Sequence, residues 1–269
     1  VPKTIDNDLA ATDHTPGYGS AAKYIASTMK EIIRDALVQP IKIVNIIEIM
    51  GRNAGWLTAA AALAKGDDCE GADLIYLPET VFDINKFVAK VQEIQKTKKQ
   101  IVVAVSEGVK TADGKYVCES ASSNMLVDSF GHKQLSGTAT ALANVISNEI
   151  GCKTRAIEFS TIQRCASHIA SLTDVNEAFI VGGIAVKAAF DGETGKVGIF
   201  QRLSNKPYLM GTSIYDVNAI ANVEKTVPQE WIINDGTGVS QEALDYMRPL
   251  IQGEIYPYMV DGLPRHIKL

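Results

Sequence analysis

Apolar positions along the chain alternate between two periods. Ala21, Ile25, Met29, Ile32 and Ala36 recur at helical spacing, behind a Thr15-Pro16-Gly17 start with Thr as N-cap and Pro at the first helical position. Lys42 to Ile49 is rich in β-branched residues and predicts a buried strand. A helix follows over Ala54 to Ala64, then a short strand over Asp73 to Leu77 closed by Pro78, a helix over Ile84 to Thr97 and a strand over Gln100 to Ser106. Asp113-Gly114 marks a turn, and Leu135, Ala139, Leu142, Ile146 and Ile150 mark one face of a further helix. Thr154 to Phe159 reads as a strand, Asp174 to Ala189 as a helix and Gln241 to Ile251 as a helix. Val197 to Leu203 and Pro207 to Thr212 flank Ser204-Asn205-Lys206 as a hairpin. Strands alternating with helices predict an α/β fold with a mostly parallel sheet flanked by helices. Ligands bind beyond the carboxyl ends of such strands. Three polar clusters fall there: Met50-Gly51-Arg52, Ser106-Glu107 and Ser160 to Arg164.

Composition narrows the function classes. The chain has 269 residues, 46% hydrophobic and 21% charged, which suits a folded core and rules out a disordered or fibrous chain. Its net charge of −5 argues against non-specific nucleic-acid binding, which depends on phosphate neutralisation. No apolar run is long enough to span a bilayer. Cys69, Cys118, Cys152 and Cys165 form no C-x-x-C pair, so a zinc site is not expected and the pattern suits reduced thiols in a cytoplasmic protein. The expectation is therefore a protein with neither nucleic acid nor membrane as partner.

Four clusters could carry chemistry. Lys3-Thr4-Ile5-Asp6-Asn7-Asp8 has two carboxylates two residues apart beside a Lys. Taken alone it is a polar turn. As a site it suits phosphoryl transfer, with one carboxylate as base, one near a metal, and the Lys as a point charge for phosphate. Gly51 would let a ligand approach the backbone, and Arg52 would fork onto phosphate or sugar oxygens; the plainer reading is a strand-end turn with a solvated Arg. Glu107 is a candidate acceptor for sugar hydroxyls against the plainer reading of a solvated side chain. Arg155 and Arg164, nine apart, suit an anion pocket, against surface ion pairing. Asp191 to Lys196 mimics a phosphate loop, but Phe190 and Val197 stand where that motif needs Gly and Ser/Thr, so a turn before a strand is expected. His14, His132, His168 and His266 form no metal pair.

Together, P-K-T-I-D-N-D at Pro2 to Asp8, M-G-R at Met50 to Arg52, S-E-G at Ser106 to Gly108, and T-R-A followed by I-Q-R within Thr154 to Arg164 resemble the phosphofructokinase family in order and spacing. D-H-T-P-G-Y-G-S-A-A at Asp13 to Ala22, Q-R-x-x-x-H-x-x-S at Gln163 to Ser171 and N-V-E-K-x-V-P-x-E-W at Asn222 to Trp231 resemble its pyrophosphate-dependent branch. The resemblance implies a two-lobed fold with the N-terminal lobe truncated. Residues 1–17 and 164–269 would belong to the phosphoryl-donor lobe and a C-terminal segment, and 18–163 to the sugar-phosphate lobe. It implies transfer from pyrophosphate to the 1-hydroxyl of fructose 6-phosphate, with Mg2+ as cofactor and a homo-oligomeric enzyme. Asp6 would be the base, with Lys3 and Arg52 beside the transferred group. Thr4, Ile5, Met50, Gly51, Glu107, Arg155, Thr161, Ile162, Gln163 and Arg164 would line the substrate site, with Arg155 often supplied to a neighbouring subunit, and Asp8 would organise the metal. The alternatives are an ATP-dependent 6-phosphofructokinase and a non-catalytic sugar-phosphate-binding subunit. Three positions depart from the short bacterial ATP enzymes: Lys3 replaces Gly, Thr161 replaces His and Ile43 replaces Arg.

Overall fold

The computed structural model describes residues 1–120 and 135–266; His132 lies outside them. In chain order the elements are α1 (Tyr18–Leu37), β1 (Ile43–Ile49), α2 (Trp56–Ala59), β2 (Leu74–Tyr76), α3 (Ile84–Ile94), β3 (Gln100–Ser106), α4 (Thr138–Ile150), β4 (Lys153–Glu158), α5 (Ile162–Cys165), α6 (Leu172–Phe190), β5 (Lys196–Asn205), β6 (Tyr208–Asp216), β7 (Ile232–Ile233), β8 (Gly238–Val239), α7 (Gln241–Met247), β9 (Met259–Val260) and β10 (Leu263–Pro264). They fall into two compact units: Val1–Tyr24 with Thr161–Lys225 and Leu244–Leu269, and Ile25–Ser160 with Thr226–Ala243. The structure thus groups Thr226–Ala243 with the sheet, where the sequence expectation kept 164–269 together.

The second unit is built on one sheet, ordered β2-β3-β1-β4, in which every neighbouring pair is parallel. All seven residues of β1 are buried, as a central parallel strand covered on both faces requires. Val44, Ile46, Val103 and Val105 pack with Phe82 and Phe87 near α3 and with Ala139, Leu142 and Ile146 of α4 in one core. Tyr76, Phe82 and Phe87 meet at ring-centroid distances of 4.9 to 5.7 Å within it. β2 stays buried although it ends the sheet, because the Ile75 N–H donates to the Thr237 carbonyl 3.0 Å away. β4, the other edge, is largely solvent-facing.

Glu48 is the one acid on β1, and it is buried. Its Oε2 accepts the Ala139 N–H at 2.8 Å, capping the start of α4, yet burial dominates and pushes its pKa up to about 7. The folded value lies above the unfolded one, so the associated stability is complete below about pH 4.5 and lost as pH rises through 7. Glu48→Gln is therefore expected to remove about 3 kcal/mol of the stability loss between pH 5 and 9. Denaturant unfolding at both pH values checks this, and an unchanged pH slope would contradict it.

In the first unit, β5 and β6 form a long antiparallel hairpin, as expected, and α6 packs on it. The 191–195 segment is a turn before β5, with Gly192 and Gly195 at positive φ. Two local expectations are corrected. The first is the start of α1, which falls at Tyr18 with Gly17 in the left-handed region at φ 97°. Its amides are capped by Asp174 rather than by Thr15: Oδ1 accepts the Gly17 N–H at 2.8 Å, and Oδ2 accepts the Ser20 N–H at 3.0 Å and the Ser20 hydroxyl at 2.5 Å. Thr15 instead donates its hydroxyl to the Thr4 carbonyl at 2.7 Å. The second is the expected 54–64 helix, which is one α turn followed by a 3-10 stretch over Ala60–Ala64. α6 buries Asp174, Glu177 and Val181 and leaves Phe179, Val186 and Phe190 exposed.

Candidate functional site

The Lys3-to-Asp8 segment lies in the first unit and alternates in burial. Ile5 and Asn7 turn inward, while Thr4, Asp6 and Asp8 keep partial exposure and Lys3 is exposed. The Asp6 N–H donates to Thr4 Oγ1 at 3.1 Å, tightening the turn. Asn7 takes φ 57°, a left-handed conformation that Asn tolerates. Burial is the largest influence on Asp8 and raises its pKa; Glu224 adds to this, and Thr4 and Lys225 oppose it. Asp8 Oδ1 is buried without a hydrogen-bond partner among the described residues.

An ion cluster that the sequence reading missed lies behind this segment, inside the same unit. His14 is buried, and its ring nitrogens face two carboxylates: Nδ1 lies 2.9 Å from Asp13 and Nε2 2.8 Å from Glu177. Its ring stacks on Phe200 at 4.5 Å. Asp13 also pairs with Arg202 at 2.9 Å, and the Tyr208 hydroxyl donates to Glu177 at 2.7 Å. Burial opposes the charged form of His14, but the two carboxylates outweigh it and raise its pKa, favouring the imidazolium, the form that can donate from both nitrogens. Lys225 donates to Asn7 Oδ1 and to the Thr12 and Asp13 carbonyls, and burial lowers its pKa to about 8. The signal in the sequence was a lone His beside an Asp, and its second partner, Glu177, is 163 positions away.

The second unit holds two of the three strand-end clusters, and it brings those two together. β1 ends at Met50-Gly51-Arg52 and β3 at Ser106-Glu107-Gly108, side by side because β1 and β3 are paired. The Glu107 N–H donates to the Ile49 carbonyl at 3.0 Å, the Ser106 hydroxyl to the Gly51 carbonyl at 2.5 Å, and the Gly51 N–H reaches Glu107 Oε1 at 3.4 Å. Gly51 has φ 130°, and a Cβ there would lie 2.6 Å from the Ala54 carbonyl oxygen. At Gly108 a Cβ would overlap the Arg52 carbonyl. M-G-R and S-E-G are thus one interlocked pair of turns presenting Arg52 and Glu107, both half-buried. Gly108→Ala must displace the Arg52 backbone and is expected to destabilise by at least ~3 kcal/mol. Thermal unfolding measures it, and a change below about 1 kcal/mol would contradict the close approach.

The remaining candidates are spread over both units. Arg155 lies on β4 in the second unit and pairs with Asp35 at 2.9 Å, the surface ion-pair arrangement. Arg164 lies in the first unit on the single-turn α5, exposed, as are Thr161 and Ile162. Gln163 is buried, and neither amide atom has a hydrogen-bond partner among the described residues. No three His, Cys, Asp or Glu side chains among the described residues converge as a metal cage. No helix among them is long and apolar enough to cross a membrane. All four cysteines are unbridged.

With this geometry in place, comparison with known proteins is informative. The family model described as Phosphofructokinase matches residues 1–166. A relative from Halomonas elongata named pyrophosphate--fructose 6-phosphate 1-phosphotransferase is 40% identical over 271 residues, covering 100% of this chain and 64% of the relative. A relative of the same name from Xanthomonas campestris is 41% identical, with 100% and 64% covered. The crystal structure of a pyrophosphate-dependent phosphofructokinase from Nitrosospira multiformis superposes with a TM-score of 0.87 at 38% identity, over 99% of this chain and 63% of that one. The chain therefore spans less than two thirds of the length of these relatives, and it belongs to the phosphofructokinase family.

Proposed function

We propose that this chain carries the sugar-phosphate-binding and proton-abstracting part of a phosphotransferase that moves a phosphoryl group from pyrophosphate to the 1-hydroxyl of fructose 6-phosphate. The observation that carries this reading is the Lys3–Asp8 segment, in which Ile5 and Asn7 are buried and Thr4, Asp6 and Asp8 are partly exposed. Relatives named for this reaction match it over its whole length.

Phosphoryl transfer needs alignment and charge compensation rather than covalent help from the protein. Asp6 takes the proton from the attacking hydroxyl, which requires an oxygen acceptor at hydrogen-bond reach and a cation nearby to offset the developing charge. Lys3 and Arg52 supply positive charge toward the transferred group, Arg52 through its fork and Lys3 as a point charge. Met50, Gly51 and Glu107 bind the sugar, Glu107 accepting from its hydroxyls. Thr4, Ile5, Thr161, Ile162, Gln163, Arg164 and Arg155 complete the substrate contacts. Arg155, on edge strand β4, would serve a neighbouring subunit of a homo-oligomer.

The donor set suits Mg2+ rather than a self-sufficient metal cage. Asp8 Oδ1 is a buried oxygen with no partner among the described residues, and Mg2+ takes one or two carboxylates and completes its shell with water and substrate phosphate. When bound, Mg2+ neutralises charge on the phosphoryl oxygens. The reading extends to a cytoplasmic enzyme, the setting that the spacing of the cysteines suits.

A coupled assay with each donor tests the reading. Turnover with pyrophosphate and not with ATP is expected. Turnover with ATP alone would replace the donor assignment, and fructose 6-phosphate binding without turnover would favour a non-catalytic binding subunit.

A further inference from the structure

The turn that carries Asp6 and Asp8 is held from behind by an ammonium group. Asn7, between the two acids, is fully buried, and its carboxamide is gripped at both ends. Its Nδ2 donates to the Tyr246 hydroxyl at 2.9 Å, and its Oδ1 accepts from Lys225 Nζ at 3.2 Å. The same Nζ donates to the Asp13 carbonyl at 2.6 Å and the Thr12 carbonyl at 3.2 Å. The Lys225 backbone is tied to the segment as well: its N–H donates to the Asp8 carbonyl at 2.7 Å, beside a bridge between Leu9 and Glu224. Tyr246 closes the arrangement by donating its hydroxyl to the Asp13 carbonyl at 2.5 Å. An ammonium has three donors. Three acceptors within residues 7–13 match that number and draw the ammonium into the loop. Gathering several oxygen dipoles from one loop around a single cation is what a bound metal ion does for a loop, and here a side chain does it.

We propose that Lys225 is a positioning residue: its ammonium, enclosed by the 7–13 segment, sets the direction of the Asp6 and Asp8 carboxylates without contacting the substrate. The inference rests on the roles given above to Asp6 and Asp8. A small misplacement of a reacting group costs about 100-fold in rate. Lys225→Met, which keeps the stem and removes the cation, is expected to lower kcat about 100-fold and to leave KM for fructose 6-phosphate within about threefold. Lys225→Ala should recover part of that kcat in propylammonium, which replaces the deleted atoms. Backbone amide exchange gives a readout independent of turnover. In Lys225→Met the peptides spanning residues 6–13 should exchange at least about tenfold faster, with the β1–β4 sheet unchanged.

Faster exchange throughout the unit, or loss of folding in both variants, would overturn the proposal by making Lys225 a general stabiliser. So would unaltered exchange at residues 6–13, or a KM raised tenfold at constant kcat, which would put Lys225 on the substrate. If the unsubstituted protein shows no turnover with either donor, the functional reading fails while the exchange experiment still decides this one.

Discussion

Asp6→Ala is expected to lower kcat by about 10²- to 10⁴-fold, the range contributed by a positioned general base, with KM for fructose 6-phosphate changed by no more than about threefold. The separation follows from local structure. The hydrogen bond that shapes the turn runs from the Asp6 backbone N–H to Thr4 Oγ1, so the substitution removes the carboxylate and leaves that bond in place. Asn7 remains anchored through its own side chain to Tyr246 and Lys225. Arg52 and Glu107, the proposed sugar contacts, lie at the paired ends of β1 and β3 in the other unit. Equal losses in kcat and affinity would argue that Asp6 binds the sugar and is not its base. Steady-state kinetics with saturating donor separates the two.

The second large effect is on stability. His14→Gln is expected to cost about 3–5 kcal/mol near neutral pH, because it leaves Asp13 and Glu177 with too little compensating charge in a buried site. The pH dependence has a definite sign. The folded pKa of His14 is raised above the unfolded value of 6.5, so its contribution is complete below about pH 6.5 and is lost as pH rises through the folded pKa. Asp13 is opposite: its pKa is lowered despite burial, because His14 and Arg202 favour its charged form, and its contribution is lost as pH falls through that lowered value. The difference between wild type and His14→Gln should thus be largest in mildly acidic solution and shrink in alkali. Denaturant unfolding at several pH values measures it. A difference that grows with pH would contradict the imidazolium assignment.

The sheet was legible in the sequence where physics is local. β3 has the bounds expected from the sequence, Gln100 to Ser106, and β1 is one residue shorter than the expected Lys42 to Ile49. What escaped the sequence depends on partners distant along the chain. The cap of α1 comes from Asp174, 157 positions beyond Gly17. The 54–64 segment is so rich in Ala that period alone did not separate an α-helix from the 3-10 turns it adopts. On the site side, M-G-R and S-E-G were read as two separate clusters. Their interlocking requires the parallel pairing of β1 with β3, and it explains why glycine stands at 51 and 108. His14 was set aside for lacking a metal-pair spacing, and its partnership with Glu177 exists only in the folded unit. Lys225 lies within a motif that carries family resemblance but no assigned chemistry, and the acceptors around it include a side-chain amide and two backbone carbonyls, which no sequence pattern marks.

The most direct test of the proposed reaction is its product. The protein is mixed with fructose 6-phosphate, pyrophosphate and Mg2+ and followed by phosphorus NMR. Consumption of pyrophosphate should give equal amounts of orthophosphate and a new sugar 1-phosphate resonance beside the retained 6-phosphate signal. Pyrophosphate loss without a sugar bisphosphate, or bisphosphate formed only when ATP is supplied, would contradict the account.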